Sequence, residues 1–139
     1  MASIKNIEKN NCKSERYLSG LFGEKLALEE MKKYGFSLVK QRYKTSSGEI
    51  DLIVKNKKQK LLVFIEVKRR KKIYDYENVI TKQQWNRIYD ASSEFLAENQ
   101  EQYKDYFIRY DAFICFTNSN NTHHIENIFP TDFKNDYRA

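Results

Sequence analysis

The feature that most constrains the fold is an apolar run that begins at Leu61 and is closed by Glu66-Val67-Lys68. Because side chains alternate between the two faces of a strand, the odd-numbered residues from Leu61 to Val67 predict one fully apolar face. The same period places Glu66 and Lys68 together on the other face, roughly 7 Å apart. Two charged residues at the end of an otherwise apolar strand require an explanation.

A second acidic motif, Gly48-Glu49-Ile50-Asp51, lies a short basic loop upstream. Turn residues precede a strand predicted from Glu49 to Val54, and residues 55–60 turn it into the strand from Leu61 to about Lys68. Pairing of these strands can bring Asp51 beside Glu66, although the sequence leaves the register open.

These residue types point to phosphodiester hydrolysis assisted by a divalent cation. Carboxylates bind Mg²⁺ or Mn²⁺, and a bound cation acidifies its water and neutralises a phosphate. We predict Asp51 and Glu66 as metal ligands, with the Val67 carbonyl as a third. Lys68 would hold the water or stabilise the developing charge. The alternative is a same-face ion pair at a strand end, which is the commoner origin of an isolated Glu-x-Lys pattern.

Glu24 joins this set from a helix predicted from about Glu15 to Tyr34. It falls inside the apolar arc of that helix, so its carboxylate is expected to face the protein body. A buried carboxylate is costly unless it meets a cation, a proton or a metal. Two roles stay open, an additional metal ligand or the partner of a buried lysine or arginine.

The remaining pattern completes an α/β fold of order αβββαββ, with a central mixed sheet flanked by helices. The further predicted elements are a strand from Phe36 to Tyr43, a helix from Thr81 to Asn99, and strands from Tyr110 to Phe116 and from His123 to Phe129. We expect one domain over residues 15–130, between a flexible arm at 1–14 and a polar tail at 131–139. His123 and His124 are expected to form a solvent-edge pair.

Charge is concentrated between Lys55 and Lys72, where nine basic residues face one acid, a balance of +8 in a chain of net charge +6. Such a stretch beside metal ligands predicts a polyanionic partner, because phosphates are attracted without sequence preference. Taken alone, Lys55, Lys57, Lys58 and Lys60 favour a solvated hairpin loop. The predicted nucleic-acid contacts are Lys57, Lys58, Lys60, Arg69, Arg70, Lys71, Lys72 and Lys82.

Two distant cysteines and the lack of a long apolar stretch predict a reducing, cytoplasmic setting without membrane insertion. The sequence leaves open whether the chain forms a homodimer.

The chain resembles the YraN-like family of small predicted endonucleases, a branch of the PD-(D/E)xK superfamily that includes restriction enzymes and archaeal Holliday-junction resolvases. The matching residues are Gly20, Gly23, Glu24, Ala27, Gly48 to Ile53, Phe64 to Lys68, Arg70, Lys82, Arg87, Arg109, Asp111 and Ile125 to Phe129. The resemblance implies a restriction-endonuclease-like core, with Glu24, Asp51, Glu66 and Lys68 as its catalytic residues. It also favours DNA, branched or flapped, as the substrate. The alternative is a nucleic-acid-binding module or structural partner without catalysis.

Overall fold

The computed structural model describes residues 20–71, 80–117 and 119–128. The predicted arm at 1–14, the tail at 131–139 and Lys72 lie outside these residues. The elements in chain order are α1 (20–33), β1 (Ser37–Lys44), β2 (Glu49–Asn56), β3 (Leu61–Arg70), α2 (Lys82–Glu98), α3 (Gln100–Tyr103), β4 (Phe107–Phe116) and β5 (Thr122–Ile125).

The strands form one mixed sheet in the order β1-β2-β3-β4-β5. The first three strands are an antiparallel meander, β4 runs parallel to β3, and β5 returns antiparallel to β4. A parallel pair needs a crossover connection, and α2 lies within it. This arrangement confirms the predicted mixed sheet with flanking helices and makes β3 its central strand.

The two long helices cover opposite faces of the sheet, and each face has its own apolar cluster. On the first face the buried cluster contains Ala27, Met31, Phe36, Leu52, Val54, Val63, Ile65 and Phe113. On the second it contains Tyr43, Ile50, Ile53, Leu62, Phe64, Ile80, Trp85, Ile88, Ala91, Phe95, Tyr103, Ala112 and Ile114. The alternation of β3 residues between the two clusters follows from the two-residue period of a strand.

Several predicted boundaries need correction. The helix α2 matches its prediction closely, since Thr81 caps its first turn and Asn99 its last. The strand β4 begins at Phe107 rather than Tyr110, because its early residues pair with β3 although their side chains are polar or exposed. The short helix α3 has too few residues for a periodic pattern and was not predicted.

The closing strand ends at Ile125 rather than Phe129. The chain turns after it, and Asn127 has a left-handed backbone with φ of 54°. The backbone N–H of Asn127 donates to Asp111 Oδ1 at 3.0 Å, which holds this turn against β4.

His124 is not a solvent-edge residue, which corrects the sequence prediction for this histidine. Its Nε2 lies 2.7 Å from Asp111 Oδ2, and its ring stacks on Phe113 with 4.2 Å between centroids. Arg109 donates to the same carboxylate from Nε at 2.8 Å and Nη2 at 2.7 Å. Burial favours a raised pKa for Asp111, but the bonds from His124, Arg109 and Asn127 prevail and lower that pKa. Asp111 is therefore a structural anion that joins β4 to β5.

No helix within the described parts of the chain combines the length and apolar character needed to cross a bilayer.

Candidate active site

The register of β2 and β3 brings the two acidic motifs together. Leu52 pairs with Ile65, so the next positions along the strands are Asp51 and Glu66. The Asp51 carboxylate also reaches the β3 backbone, where Oδ2 accepts a hydrogen bond from Val67 N–H at 2.8 Å. The fold thus selects the register that the sequence left open.

Asp51 lies in a buried environment beside another carboxylate, Glu66. Burial raises its pKa first, and the neighbouring charge of Glu66 raises it further. The more distant charge of Glu24 acts in the same direction, whereas the bond from Val67 N–H opposes it. The result is a pKa of about 8 for Asp51. A carboxyl group so placed is stabilised in its charged form by any cation that binds beside it.

The site opens into two cavities, one on each side of the sheet. The larger, of about 280 Å³, lies toward α1 and is lined by Gly20, Glu24, Arg42, Lys44, Glu49, Ile50, Asp51, Val67 and Arg69. The smaller, of about 110 Å³, lies toward α2 and is lined by Glu49, Glu66, Lys68, Gln84, Arg87 and Ile88. Glu49 contributes to both walls, so it links the two halves of the site.

Glu66 and Lys68 form an ion pair at the end of β3. Lys68 Nζ lies 3.1 Å from Glu66 Oε1, and each side chain is 15% exposed. This is the same-face geometry that the two-residue period predicts. The ammonium group is therefore held beside the acidic residues rather than free in solvent.

Glu24 faces the protein body, as the helical period predicts, and is only 5% exposed. Its Oε2 accepts hydrogen bonds from Gln41 Nε2 at 2.8 Å and from Arg42 Nε at 3.0 Å. Arg42 has a left-handed backbone with φ of 53°, an unfavourable conformation for a residue with a Cβ. The structure therefore shows Glu24 as the partner of an arginine, and its role as a metal ligand stays a prediction.

The position of Asp51 depends on how closely β2 approaches α2. A Cβ atom on Gly48 would lie 2.0 Å from the Arg87 carbonyl oxygen and 2.6 Å from the Arg87 carbonyl carbon. Only glycine allows the two backbones to meet in this way. Gly48 thereby determines where β2, the strand that contains Glu49 and Asp51, begins relative to α2.

The fold divides the basic stretch into two groups. Arg69, Arg70 and Lys71 lie at the active-site end of β3, and Arg69 lines the larger cavity. Lys57, Lys58 and Lys60 occupy the β2–β3 turn at the opposite end of the hairpin. Lys57 follows Asp51 by six residue steps, which is about 20 Å at ~3.3 Å per step. Lys82 is exposed at the start of α2.

Sequence reasoning overlooked several lining residues. Arg42 and Lys44 alternate along β1 and line the larger cavity, and Gln84 and Arg87 line the smaller one from α2. The spacing of Arg42 and Lys44 was a usable signal, since residues two apart share a strand face. Gln84 and Arg87 gave no such signal, because polar residues on a helix are usually solvated.

Comparison with known proteins identifies the family. The sequence model described as "Uncharacterised protein family UPF0102" matches residues 23–115, more than half of the chain. The chain belongs to the UPF0102 family. This confirms the resemblance to the YraN-like family, and the matched segment includes Glu24, Asp51, Glu66 and Lys68.

Individual relatives within UPF0102 cover most of the chain. A UPF0102 protein of Rhodopseudomonas palustris (strain BisA53) is 36% identical over 98 residues, which are 70% of this chain and 73% of the relative. The UPF0102 protein of Bartonella bacilliformis is 34% identical over 113 residues, 81% of this chain and 89% of the relative. That of Clostridium botulinum (strain Hall) is 30% identical over 120 residues, 83% and 93% of the two chains.

The donor set suits a hard divalent cation, because Asp51 and Glu66 offer carboxylate oxygens. Burial and the neighbouring charge of Glu66 raise the pKa of Asp51, so a cation bound between these carboxylates would stabilise the ionised form of Asp51. Across residues 20–71, 80–117 and 119–128, no three His, Cys, Asp or Glu side chains are grouped closely enough to hold a metal by themselves. A cation here would need backbone or water oxygens to complete its shell, as Mg²⁺ commonly does.

Proposed function

We propose that this UPF0102 protein is a metal-dependent nuclease that hydrolyses phosphodiester bonds in DNA. The single observation that carries the proposal is the meeting of Asp51, Glu66 and Lys68 where β2 and β3 pair. Asp51 has a pKa of about 8 there because burial and the Glu66 charge disfavour its ionised form. A divalent cation beside Asp51 would relieve that cost, because it would stabilise the ionised carboxylate.

The roles of the residues follow from their positions. Asp51 and Glu66 would hold Mg²⁺ or Mn²⁺, with the Val67 carbonyl as a further oxygen ligand. The bound cation would supply an acidified water and neutralise charge on the phosphate. Lys68, whose Nζ lies 3.1 Å from Glu66 Oε1, is placed to orient the attacking water or to stabilise charge on the phosphate oxygens.

Glu24 has a supporting role in this proposal. Its charge contributes to the raised pKa of Asp51, so it lies within electrostatic reach of the predicted ligands. Its bonds to Gln41 and Arg42 fix the carboxylate at the wall of the larger cavity. We propose that Glu24 positions the side chains around the site. It could act as a further metal ligand only if its bond to Arg42 were broken.

The finer classification of the fold also belongs to the proposal. A restriction-endonuclease-like core accounts for the antiparallel meander, for the parallel β3–β4 pair and for helices on both faces. Family resemblance supports branched or flapped DNA as the substrate class. The basic residues at both ends of the β2–β3 hairpin support a polyanion of extended shape.

A nucleic-acid-binding protein without catalysis is the second candidate. The observation that favours it is that the charged residues of the site neutralise one another. Glu66 pairs with Lys68, and Glu24 pairs with Arg42. Such pairs keep the site stable without a metal. Binding would then use the basic residues alone and would persist in chelator.

A substrate screen distinguishes these candidates. End-labelled duplex, single-stranded, flapped and four-way DNA are incubated with the purified protein in Mg²⁺, in Mn²⁺ and in EDTA, and cleavage and binding are both recorded. The nuclease proposal predicts cleavage of at least one substrate that requires the divalent cation. Binding in EDTA with no cleavage of any substrate in either metal would overturn it in favour of the second candidate.

A further inference from the structure

Arg69 is partly buried, and two nitrogen atoms of its guanidinium group have unused hydrogen-bonding capacity. Within the described part of the chain, its Nε and Nη1 atoms are inaccessible to solvent and have no hydrogen-bond partner. A buried donor without an acceptor is costly, and more so when it carries charge. Most such groups in proteins meet an acceptor from the protein, from water or from a ligand.

The side chain is held in place by packing. An added Cβ on Gly23 would lie 3.2 Å from Arg69 Cδ and 3.3 Å from Val67 Cγ1, so α1 packs closely on this part of β3. The guanidinium lies over the Phe22 ring, 5.7 Å from its centroid. An arginine whose stem is packed and whose head is stacked loses little entropy when it binds a planar or tetrahedral anion.

Arg69 also lines the larger cavity together with two further cations, Arg42 and Lys44. The same cavity contains Asp51 and Val67, two of the three residues predicted to hold the cation, whereas Glu66 lines the smaller cavity. The volume of the larger cavity, about 280 Å³, is large enough to admit a phosphate group. Three cations and two of the predicted metal ligands therefore face one space, together with the carboxylates of Glu24 and Glu49.

We propose that Arg69, assisted by Arg42 and Lys44, forms a subsite that binds a phosphate group of the substrate where its side chain lines the larger cavity. The inference rests on the proposed function in taking that phosphate to belong to nucleic acid. Arginine suits the task because its rigid fork matches two phosphate oxygens. The phosphate comes either from a strand end or from an internal phosphodiester, and both offer the same oxygen acceptors.

The test measures binding in EDTA, where cleavage cannot interfere. Fluorescently labelled duplexes with and without a 5′-phosphate are titrated with the parent protein, with Arg69→Gln and with Arg69→Lys, and anisotropy gives the Kd. Lys104→Gln is the matched control, because it removes one positive charge from an exposed side chain that lies after α3. Thermal melts without nucleic acid accompany each variant.

We expect Arg69→Gln to weaken binding about tenfold and to lower the salt slope by ~0.9, the contribution of one phosphate contact. Arg69→Lys should recover only part of the loss, because it keeps the charge and loses the fork. The melting temperature of Arg69→Gln should equal or exceed that of the parent, since a buried unpaired charge is removed. Lys104→Gln should bind like the parent.

The two duplexes identify the source of the phosphate. A loss confined to the 5′-phosphorylated duplex assigns the subsite to a terminal phosphate, and an equal loss on both assigns it to an internal phosphodiester. Equal Kd values for parent and Arg69→Gln on both duplexes would overturn the inference. So would a large drop in melting temperature with unchanged binding, which would make Arg69 a packing residue.

This outcome is separable from the nuclease proposal. Cleavage in Mg²⁺ together with unchanged binding by Arg69→Gln would reject the subsite and retain the nuclease. Weakened binding by Arg69→Gln without cleavage in any metal would retain the subsite and reject the nuclease.

Discussion

At the scale of single residues, Asp51 is the group whose properties depend most on its neighbours. Its pKa of about 8 arises first from burial and next from the charge of Glu66, with a smaller contribution from Glu24. The raised value means that the folded protein binds a proton that the unfolded chain, with an ordinary Asp pKa of 3.8, has already lost. Stability without metal should therefore fall as the pH rises from about 4 to about 8.

Glu66→Gln is expected to lower the pKa of Asp51, because it removes the larger of the two neighbouring charges. Glu24→Gln should lower it less. Carboxyl ¹³C chemical shifts, followed against pH in the metal-free protein, give the Asp51 pKa in each variant. Glu101→Gln is the control, since its side chain is highly exposed and lies on α3. Unchanged Asp51 titration in Glu66→Gln would contradict the proximity on which the site depends.

Asp111 has a lowered pKa, in contrast to Asp51, and its substitution should lower the free energy of unfolding. Asp111→Asn is expected to destabilise the protein by about 3 kcal/mol, because it leaves Arg109 and His124 facing a neutral group in a buried setting. The lowered pKa of Asp111 contributes stability above the ordinary Asp pKa, and this contribution is lost as the pH falls through the folded value.

Urea unfolding of the parent and of Asp111→Asn at several pH values measures both effects. The difference in unfolding free energy between the two proteins should shrink in acid, where the parent carboxylate becomes protonated. A difference that stays constant down to strongly acidic pH would show that the carboxylate charge is not what stabilises this cluster.

At the scale of elements, the close contact of Gly48 with Arg87 fixes the distance between the start of β2 and α2. Gly48→Ala is expected to destabilise the protein by about 3 kcal/mol, because its Cβ would overlap the Arg87 carbonyl and the two backbones must separate. The shift would also move Asp51 relative to Glu66. Thermal or urea unfolding measures the loss.

Gly20→Ala is the matched control for this contact. A Cβ at Gly20 would lie 3.5 Å from Arg42 Nη2, which is an ordinary contact distance, and the residue is helical. Alanine is a better helix former than glycine, so its stability should equal or exceed that of the parent. Equal effects of the two substitutions would contradict a specific role for the Gly48–Arg87 approach.

Most elements were predictable because local chemistry determines them. The apolar run from Leu61 and the turn residues before Glu49 define the central hairpin, and Thr81 marks the start of α2. The short helix α3 and the exposed start of β4 were not predictable from the sequence, because their conformation depends on contacts with residues distant in sequence. Phe107 is an example, because its N–H bonds to the Lys60 carbonyl.

The site divides in the same way. The inward position of Glu24 and the shared face of Glu66 and Lys68 follow from the helix and strand periods, whereas the pairing of Asp51 with Glu66 depends on a register that the fold selects. The spacing of Arg42 and Lys44 indicates a shared strand face, but it does not indicate the contact of Arg42 with Glu24, because that contact depends on a left-handed backbone at Arg42. The function of His124 was missed for a similar reason, since its partner Asp111 lies on a neighbouring strand.

At the scale of the whole molecule, the basic residues of the 55–71 stretch lie at both ends of the β2–β3 hairpin rather than in one patch. Arg69 and Lys71 lie at the active-site end of β3, whereas Lys57, Lys58 and Lys60 lie about 20 Å from Asp51, at ~3.3 Å per strand residue. A duplex that occupies both regions must span about six base pairs at ~3.4 Å each. The basic stretch of the sequence therefore becomes two separate contact regions in the fold.

Replacement of Lys57, Lys58 and Lys60 by Gln tests the distant region. If each contacts a phosphate, the slope of log K against log salt should decrease in magnitude by about 2.7, which is three contacts at ~0.9 each. Lys32, Lys33 and Lys104, all exposed, form the control triple with the same change in charge. Equal slopes for the parent and the hairpin triple would leave these lysines as solvated surface residues.

Cleavage by matched variants tests the central claim most directly. Parent, Asp51→Asn, Glu66→Gln and the exposed control Asp105→Asn are assayed in Mg²⁺ and Mn²⁺ on the DNA substrate that the parent cleaves best. We predict metal-dependent cleavage by the parent and the control, and a loss of at least about a hundredfold in both site variants, which should remain folded by circular dichroism. Cleavage close to the parent rate by either folded site variant would contradict the assignment of Asp51 and Glu66 as metal ligands.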